Sequence, residues 1–129
     1  MALRLSLRPS ERVIIGGAVI TNGNARAEIT VENDVPVLRR GDILSPSVVA
    51  TPCERIYLAL ELAYVEPERR TGHLTAYHDL ARELLQAAPS CVANLDEIDA
   101  RLAAERPYYA LKEAQTLLEH ERDLLSHVR

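Results

Sequence analysis

The chain has 129 residues and a formal net charge of −4, a size that suits one domain or two very small ones and a core that needs no metal or disulfide staple. Phe and Trp are absent, so that core is left to Leu, Ile, Val and Ala, and none of the five tyrosines precedes Tyr57. No apolar run approaches the roughly 20 residues that span a bilayer. Arg4 and Arg8 interrupt any signal-peptide core, and Cys53 and Cys91 stand apart without metal-ligand spacing, so a soluble cytoplasmic protein with reduced thiols is expected.

Residues 2–8 read as a first strand. Leu3, Leu5 and Leu7 alternate with Arg4, Ser6 and Arg8, a period of two that buries the leucines on one face and shows the arginines on the other. Arg8-Pro9-Ser10-Glu11 reads as a turn and Arg12 to Ile15 as a short apolar strand. Gly16-Gly17 allows a tight turn or a bulge, because both glycines take positive φ freely. Ala18 to Ile20 continues as strand, and Asn22-Gly23 is the strongest short hairpin signal. Ala25, Ala27, Ile29 and Val31 alternate with Arg26, Glu28, Thr30 and Glu32, giving another half-buried strand. Glu32-Asn33-Asp34 turns the chain. Val35 to Arg39 is the last strand, with Pro36 placing it at an edge or marking its first residues.

Ser45-Pro46 and Thr51-Pro52 bracket a linker, after which the apolar period becomes helical. Thr51-Pro52-Cys53-Glu54 is a capping box, with Thr at N-cap, Pro at N1 and Glu at N3. That helix runs to about Val65 and ends at Glu66-Pro67. A second covers His73 to Ala88, stopped by Pro89. A third covers Asn94 to Glu105, capped by Asn94 with Glu97 at N3. A fourth starts at Pro107, and its apolar face runs through Leu111, Ala114, Leu117, Leu118, Leu124, Leu125 and Val128. The expected fold is α+β: a small N-terminal antiparallel sheet in residues 1–46, then a bundle of about four helices in residues 47–129.

No catalytic constellation emerges. There is no GxSxG, P-loop or HExxH, and Gly16-Gly17 is followed by strand formers instead of a helix start. His73 and His78 are five apart, off the helical metal-pair spacing. Glu119-His120-Glu121 reads as a charged outer face, and both cysteines as inert packing residues. No enzyme activity, metal or cofactor is expected.

Charge is divided unevenly. Residues 1–50 hold six arginines against five acids, whereas residues 51–129 hold nine bases against fourteen acids. Fourteen of the fifteen bases are arginine, a planar bidentate donor suited to phosphate or a guanine edge. The candidate site is Arg4 and Arg8 on the first strand with Arg39 and Arg40 on the last, provided the two strands are neighbours. The competing reading pairs these arginines with Glu11, Glu28 or Asp42 as ordinary surface charge. The sheet has no aromatic residue, which rules out an RRM and leaves any RNA contact to arginine and backbone.

Several runs together resemble the FlbT family of flagellar regulators: Leu3-Arg4-Leu5-Ser6-Leu7-Arg8-Pro9, Gly17-Ala18-Val19-Ile20-Thr21-Asn22-Gly23, Leu38-Arg39-Arg40-Gly41-Asp42-Ile43, Thr51-Pro52 with Arg55-Ile56-Tyr57, and Tyr108-Tyr109-Ala110-Leu111-Lys112. The resemblance implies a non-enzymatic post-transcriptional regulator. It would associate with the 5′ untranslated leader of flagellin mRNA and promote its decay, with FlaF and flagellin as protein partners and neither DNA nor membrane. The alternative is an adaptor in which the acidic helical half binds FlaF or flagellin and touches mRNA only indirectly. Leu7-Arg8-Pro9-Ser10-Glu11, Val13-Ile14-Ile15-Gly16 and Arg40-Gly41-Asp42-Ile43 also resemble the carbon-storage regulator family, which implies RNA contacts at Arg8 and Arg40 across a dimer. Gly41-Asp42 departs from that family's two glutamates, and the helical half has no counterpart there. Open edges on short strands further predict a homodimer.

Overall fold

The structure, a computed structural model, describes residues 2–126, so His127 and Val128 lie outside the described residues. Five strands are followed by four α-helices, in two compact units that divide between Ile43 and Leu44. The class is α+β, as the change of apolar period predicts.

In the first unit, β1 (Leu3–Leu7) pairs antiparallel with β4 (Ala27–Val31). β2 (Arg12–Ile15) lies between β3 (Ala18–Thr21) and β5 (Val37–Arg39), antiparallel to both. Leu5, Leu7 and Val13 are buried together, with Ile15, Ile29, Val31 and Val37 packed around them, so one cluster draws on both small sheets. Leu3, expected on the buried face, is 45% exposed, and burial begins at Leu5.

One local expectation is corrected, and the condition set on the first and last strands is not met. The hairpin turn is Gly16-Gly17, not Asn22-Gly23. The glycines sit at φ +58° and +88°, and Ile15 pairs directly with Ala18, the two-residue turn that suits the twist of the strands. Asn22 instead acts through its side chain: Nδ2 donates to the Arg8 carbonyl at 2.8 Å and the Ala25 carbonyl at 3.0 Å, and Oδ1 accepts from the Gly23 N–H. Finally, the first and last strands do not pair, because β4 takes β1 and β2 takes β5.

The second unit is built around α1 (Pro52–Val65), which packs against α2 (Arg70–Ala87) and α4 (Pro107–Ser126), while α3 (Val92–Ala103) packs on α4. Ile56, Leu60, Ala63, Tyr77, Ile98, Leu111 and Leu117 are essentially inaccessible to water. The capping box forms as expected: Thr51 Oγ1 accepts from the Glu54 N–H, and Glu54 accepts in return from Thr51 and Ala50. The N–H of Ala50, then that of Thr51, holds the Glu54 carboxyl below its ordinary value. Thr51 Oγ1 also donates to Glu121 Oε1 at 2.6 Å, and Glu121 Oε2 accepts from the Cys53 N–H at 3.2 Å. The last helix thus places a carboxylate on the positive end of α1.

Two helix starts fall earlier than expected. Pro67 and Pro89 open single 3₁₀ turns, Pro67–Arg69 and Pro89–Cys91, that run directly into α2 and α3. Proline fits the first position of such a turn, where its missing N–H is not needed. Asn94 therefore lies inside α3 and caps nothing. Arg70 Nε donates to the Ala63 carbonyl, and His73 Nε2 lies 2.7 Å from Glu66 Oε1, so both secure the α1–α2 corner. Cys53 and Cys91 are buried, and burial raises both thiols' pKa values, which makes them unreactive as the sequence suggests.

Thr51→Ala removes one acceptor from the α1 amides and one donor to Glu121. It is expected to lower the helical unit's stability by about 1 kcal/mol, read from urea melts followed by tyrosine fluorescence, since every tyrosine lies in that unit. A midpoint equal to wild type would show that the cap contributes nothing.

Candidate nucleic-acid interface

The turn from β1 to β2 sets the geometry. Ser10 adopts φ +62° after Pro9, and the Glu11 N–H returns to the Arg8 carbonyl at 3.1 Å, the pattern of a turn with proline second and a left-handed third residue. This fold-back points the Glu11 side chain inward. Its Oε1 accepts from the Arg8 N–H at 2.8 Å, and its Oε2 accepts from Arg39 Nη2 at 2.9 Å and Nε at 3.3 Å. Arg39 Nη2 also donates to the Ser6 carbonyl at 2.7 Å. One guanidinium therefore ties β5 to β1, two strands that share no ladder.

The Glu11 side chain is only 6% exposed, whereas Arg39 keeps 43% of its side-chain surface in water. A buried carboxylate is tolerable only when paired and hydrogen-bonded, and Glu11 is both. The Arg8 amide, then the Arg39 side chain, holds its carboxyl below the ordinary value.

Arg8, Glu11, Arg39, Arg40 and Gly41 line a cleft of about 340 Å³. Its lining residues are three arginines, one glycine and one glutamate, and the Glu11 carboxylate is already engaged by Arg39. Arg8 and Arg40 are exposed, and neither side chain makes a hydrogen bond or ion pair among the described residues. Arg39 has Nη1 left over after its bonds to Glu11 and Ser6. Three arginines line this cleft and its one glutamate is engaged by Arg39, an arrangement with the charge and the donors to take an anion.

Of the four arginines singled out from the sequence, the fold brings together Arg8, Arg39 and Arg40. Arg4 stays on β1 opposite Thr30 and does not line the cleft. Arg8 lies one residue beyond β1, in the turn, and does not share a strand face with Arg4. Sequence reasoning missed Ser6 and Gly41, and it treated Glu11 only as a possible neutraliser of surface charge. It also missed Arg26, whose Nε donates to Ser6 Oγ at 3.2 Å. Nothing in the local sequence of Arg26 signals that placement, which comes from the β1–β4 register.

The family model described as flagellar protein FlbT matches residues 3–125. The chain belongs to the FlbT family. It is 39% identical over 125 residues to the probable flagellum biosynthesis repressor protein FlbT 1 of Bradyrhizobium diazoefficiens, an overlap covering 96% of this chain and 85% of that protein. It is 32% identical over 133 residues to the flagellum biosynthesis repressor protein FlbT of Caulobacter vibrioides, covering 99% and 92% respectively. No solved structure matches it. Among the described residues of this FlbT-family chain, no helix is long and apolar enough to cross a membrane, and no group of His, Cys, Asp and Glu is arranged to hold a metal ion.

Because the folded state lowers the Glu11 pKa, the clamp's contribution is present above the ordinary glutamate value and is lost as pH falls through the lowered one. At neutral pH, Glu11→Gln is expected to speed amide hydrogen exchange in β1 and β2 relative to wild type. That gap should close on acidification. A gap that stays constant down to acid pH would rule out the charge as its cause.

Proposed function

We propose that this FlbT-family protein regulates flagellum biosynthesis after transcription, binding the 5′ untranslated leader of flagellin mRNA and promoting its degradation. The supporting observation is the convergence of Arg8, Arg39 and Arg40 on one cleft whose single carboxylate is already paired. RNA presents phosphates at every nucleotide, and arginine forks match them in shape and charge. The relatives' names supply the flagellar context and the repressing sign. With no aromatic residue in the first unit, the contact rests on charge and backbone and not on base stacking. Degradation itself is assigned to cellular ribonucleases.

The test is a titration of full-length protein against a flagellin leader RNA at several salt concentrations. Arg8→Ala with Arg40→Ala removes two exposed guanidiniums that make no side-chain hydrogen bond among the described residues, and leaves the Arg8 N–H and Arg39 on Glu11. The slope of log affinity against log salt is expected to become shallower by about 0.7 for each arginine lost, with the fold intact. Unchanged affinity and slope in the double variant would overturn the proposal.

A second reading is favoured by one feature of the helical unit. Tyr109 is half exposed, with the Arg106 guanidinium 5.8 Å from its ring centre and Tyr108 edge-on at 5.7 Å. Lys112 lies over Tyr108, and Tyr64 packs beside it. Tyrosine and arginine are the residue types that dominate protein-binding hot spots, so this patch suits a protein partner such as flagellin or FlaF. Tyr109→Ala is expected to weaken capture of flagellin by the full-length protein without altering RNA affinity. Loss of RNA binding in that variant, with flagellin capture retained, would reverse the assignment.

A further inference from the structure

We infer that the free edge of β3 is a self-association surface, and that a second copy of this chain adds its own β3 there, antiparallel about a two-fold axis at Ile20. Among the described residues β3 pairs only with β2, and all four of its residues are exposed, Val19 at 63% and Ile20 at 39%. Natural edge strands are protected by charge, proline or a bulge. This one has none of these: no charged residue or proline lies between Arg12 and Arg26. The other edges are guarded, β1 and β4 by exposed Arg4 and Glu28, and β5 by its three-residue length and its run into a 3₁₀ turn.

The hydrogen-bond phase fixes which groups point outward. The Gly16 N–H donates to the Pro36 carbonyl on the β5 side, and the Asn22 N–H donates to the Glu11 carbonyl on the β3 side. Odd-numbered residues of β2 therefore bond toward β3. Their partners Ala18 and Ile20 use their amides internally, leaving the N–H and C=O of Val19 and Thr21 aimed away from the sheet.

Those groups admit a symmetric match. With Ile20 opposite Ile20 of the second copy, Val19 faces Thr21 of the second copy and Thr21 faces its Val19, and both pairs exchange N–H···O bonds. The two isoleucines form the closer, non-hydrogen-bonded pair on the face of Val13. Gly17 meets Gly23 at the flanks, so nothing bulky stands in the way. No like charges are brought together, because the segment carries none. A foreign strand would find the same backbone groups but not this two-fold register.

The test uses the full-length protein. Light scattering across a concentration series is expected to show a mass approaching twice the 14.4 kDa of the chain. Thr21→Pro removes an N–H that the β2 ladder does not use. It costs two intermolecular bonds per dimer and is expected to weaken association about 30-fold, with an unchanged far-UV spectrum. Ile20→Cys is expected to form an intermolecular disulfide under mild oxidation, since a non-hydrogen-bonded pair sets the Cα atoms about 4.5 Å apart, within disulfide range. Val19→Cys should not, because its symmetry mate lies about 8–9 Å away. The native thiols are buried and stay silent. A monomer at every concentration, or a dimer that Thr21→Pro leaves intact, overturns the inference, as does cross-linking at residue 19 in preference to residue 20.

Discussion

The Glu11 carboxylate is the contact on which the first unit depends. Two short sheets share a small apolar cluster, and a two-stranded sheet such as β1–β4 has little stability alone. Glu11 addresses this by binding both the Arg8 amide at the end of β1 and the Arg39 guanidinium on β5, while Arg39 reaches on to the Ser6 carbonyl. The two sheets are thereby locked through polar groups as well as through Leu5, Leu7 and Val13. The same clamp decides how Arg39 meets a ligand. Its Nε and Nη2 are fixed in place, so Nη1 is presented from a rigid base with little rotamer entropy left to lose.

Most of the architecture was legible in the sequence because it rests on local signals. Period-two alternation marked β1 and β4, and Thr51-Pro52-Cys53-Glu54 marked the start of α1 to the residue. The misreadings have one cause each. Asn-Gly and Gly-Gly are both competent turns, and only the strand pairing decides that Gly16-Gly17 closes the hairpin while Asn22 staples a loop. Pro67 and Pro89 do end α1 and α2 as expected, but proline is equally at home at the first position of the next turn, so α2 and α3 start earlier than their apolar periods suggest. At the site, Arg8, Arg39 and Arg40 were visible as candidates, but their convergence was not. It arises from a left-handed Ser10 and a buried glutamate, neither of which local pattern can report.

The acidic character of the helical half also changes meaning once its carboxylates are located. Glu121 and Glu54 sit on the amides at the start of α1, Glu61 accepts from the Leu44 N–H, Asp99 holds the buried Tyr77 hydroxyl, and Glu66 pairs with His73. These acids serve backbone and core groups within the unit. Five of the fourteen acids in residues 51–129 therefore have structural duties, and each ionised carboxylate among them keeps its charge.

The strand order has a kinetic consequence. Among the strands that pair, only β2 and β3 are joined by a tight turn, so their hairpin can close within microseconds. β1 must wait for β4, and β2 for β5, across most of the first unit, and loop-closure entropy is met before those ladders return any contact energy. In the helical half, α1 with α2 and α3 with α4 are chain neighbours. Leu3–Leu7 is thus expected to be among the last segments to reach its final pairing, because its register with β4 needs every residue up to Val31.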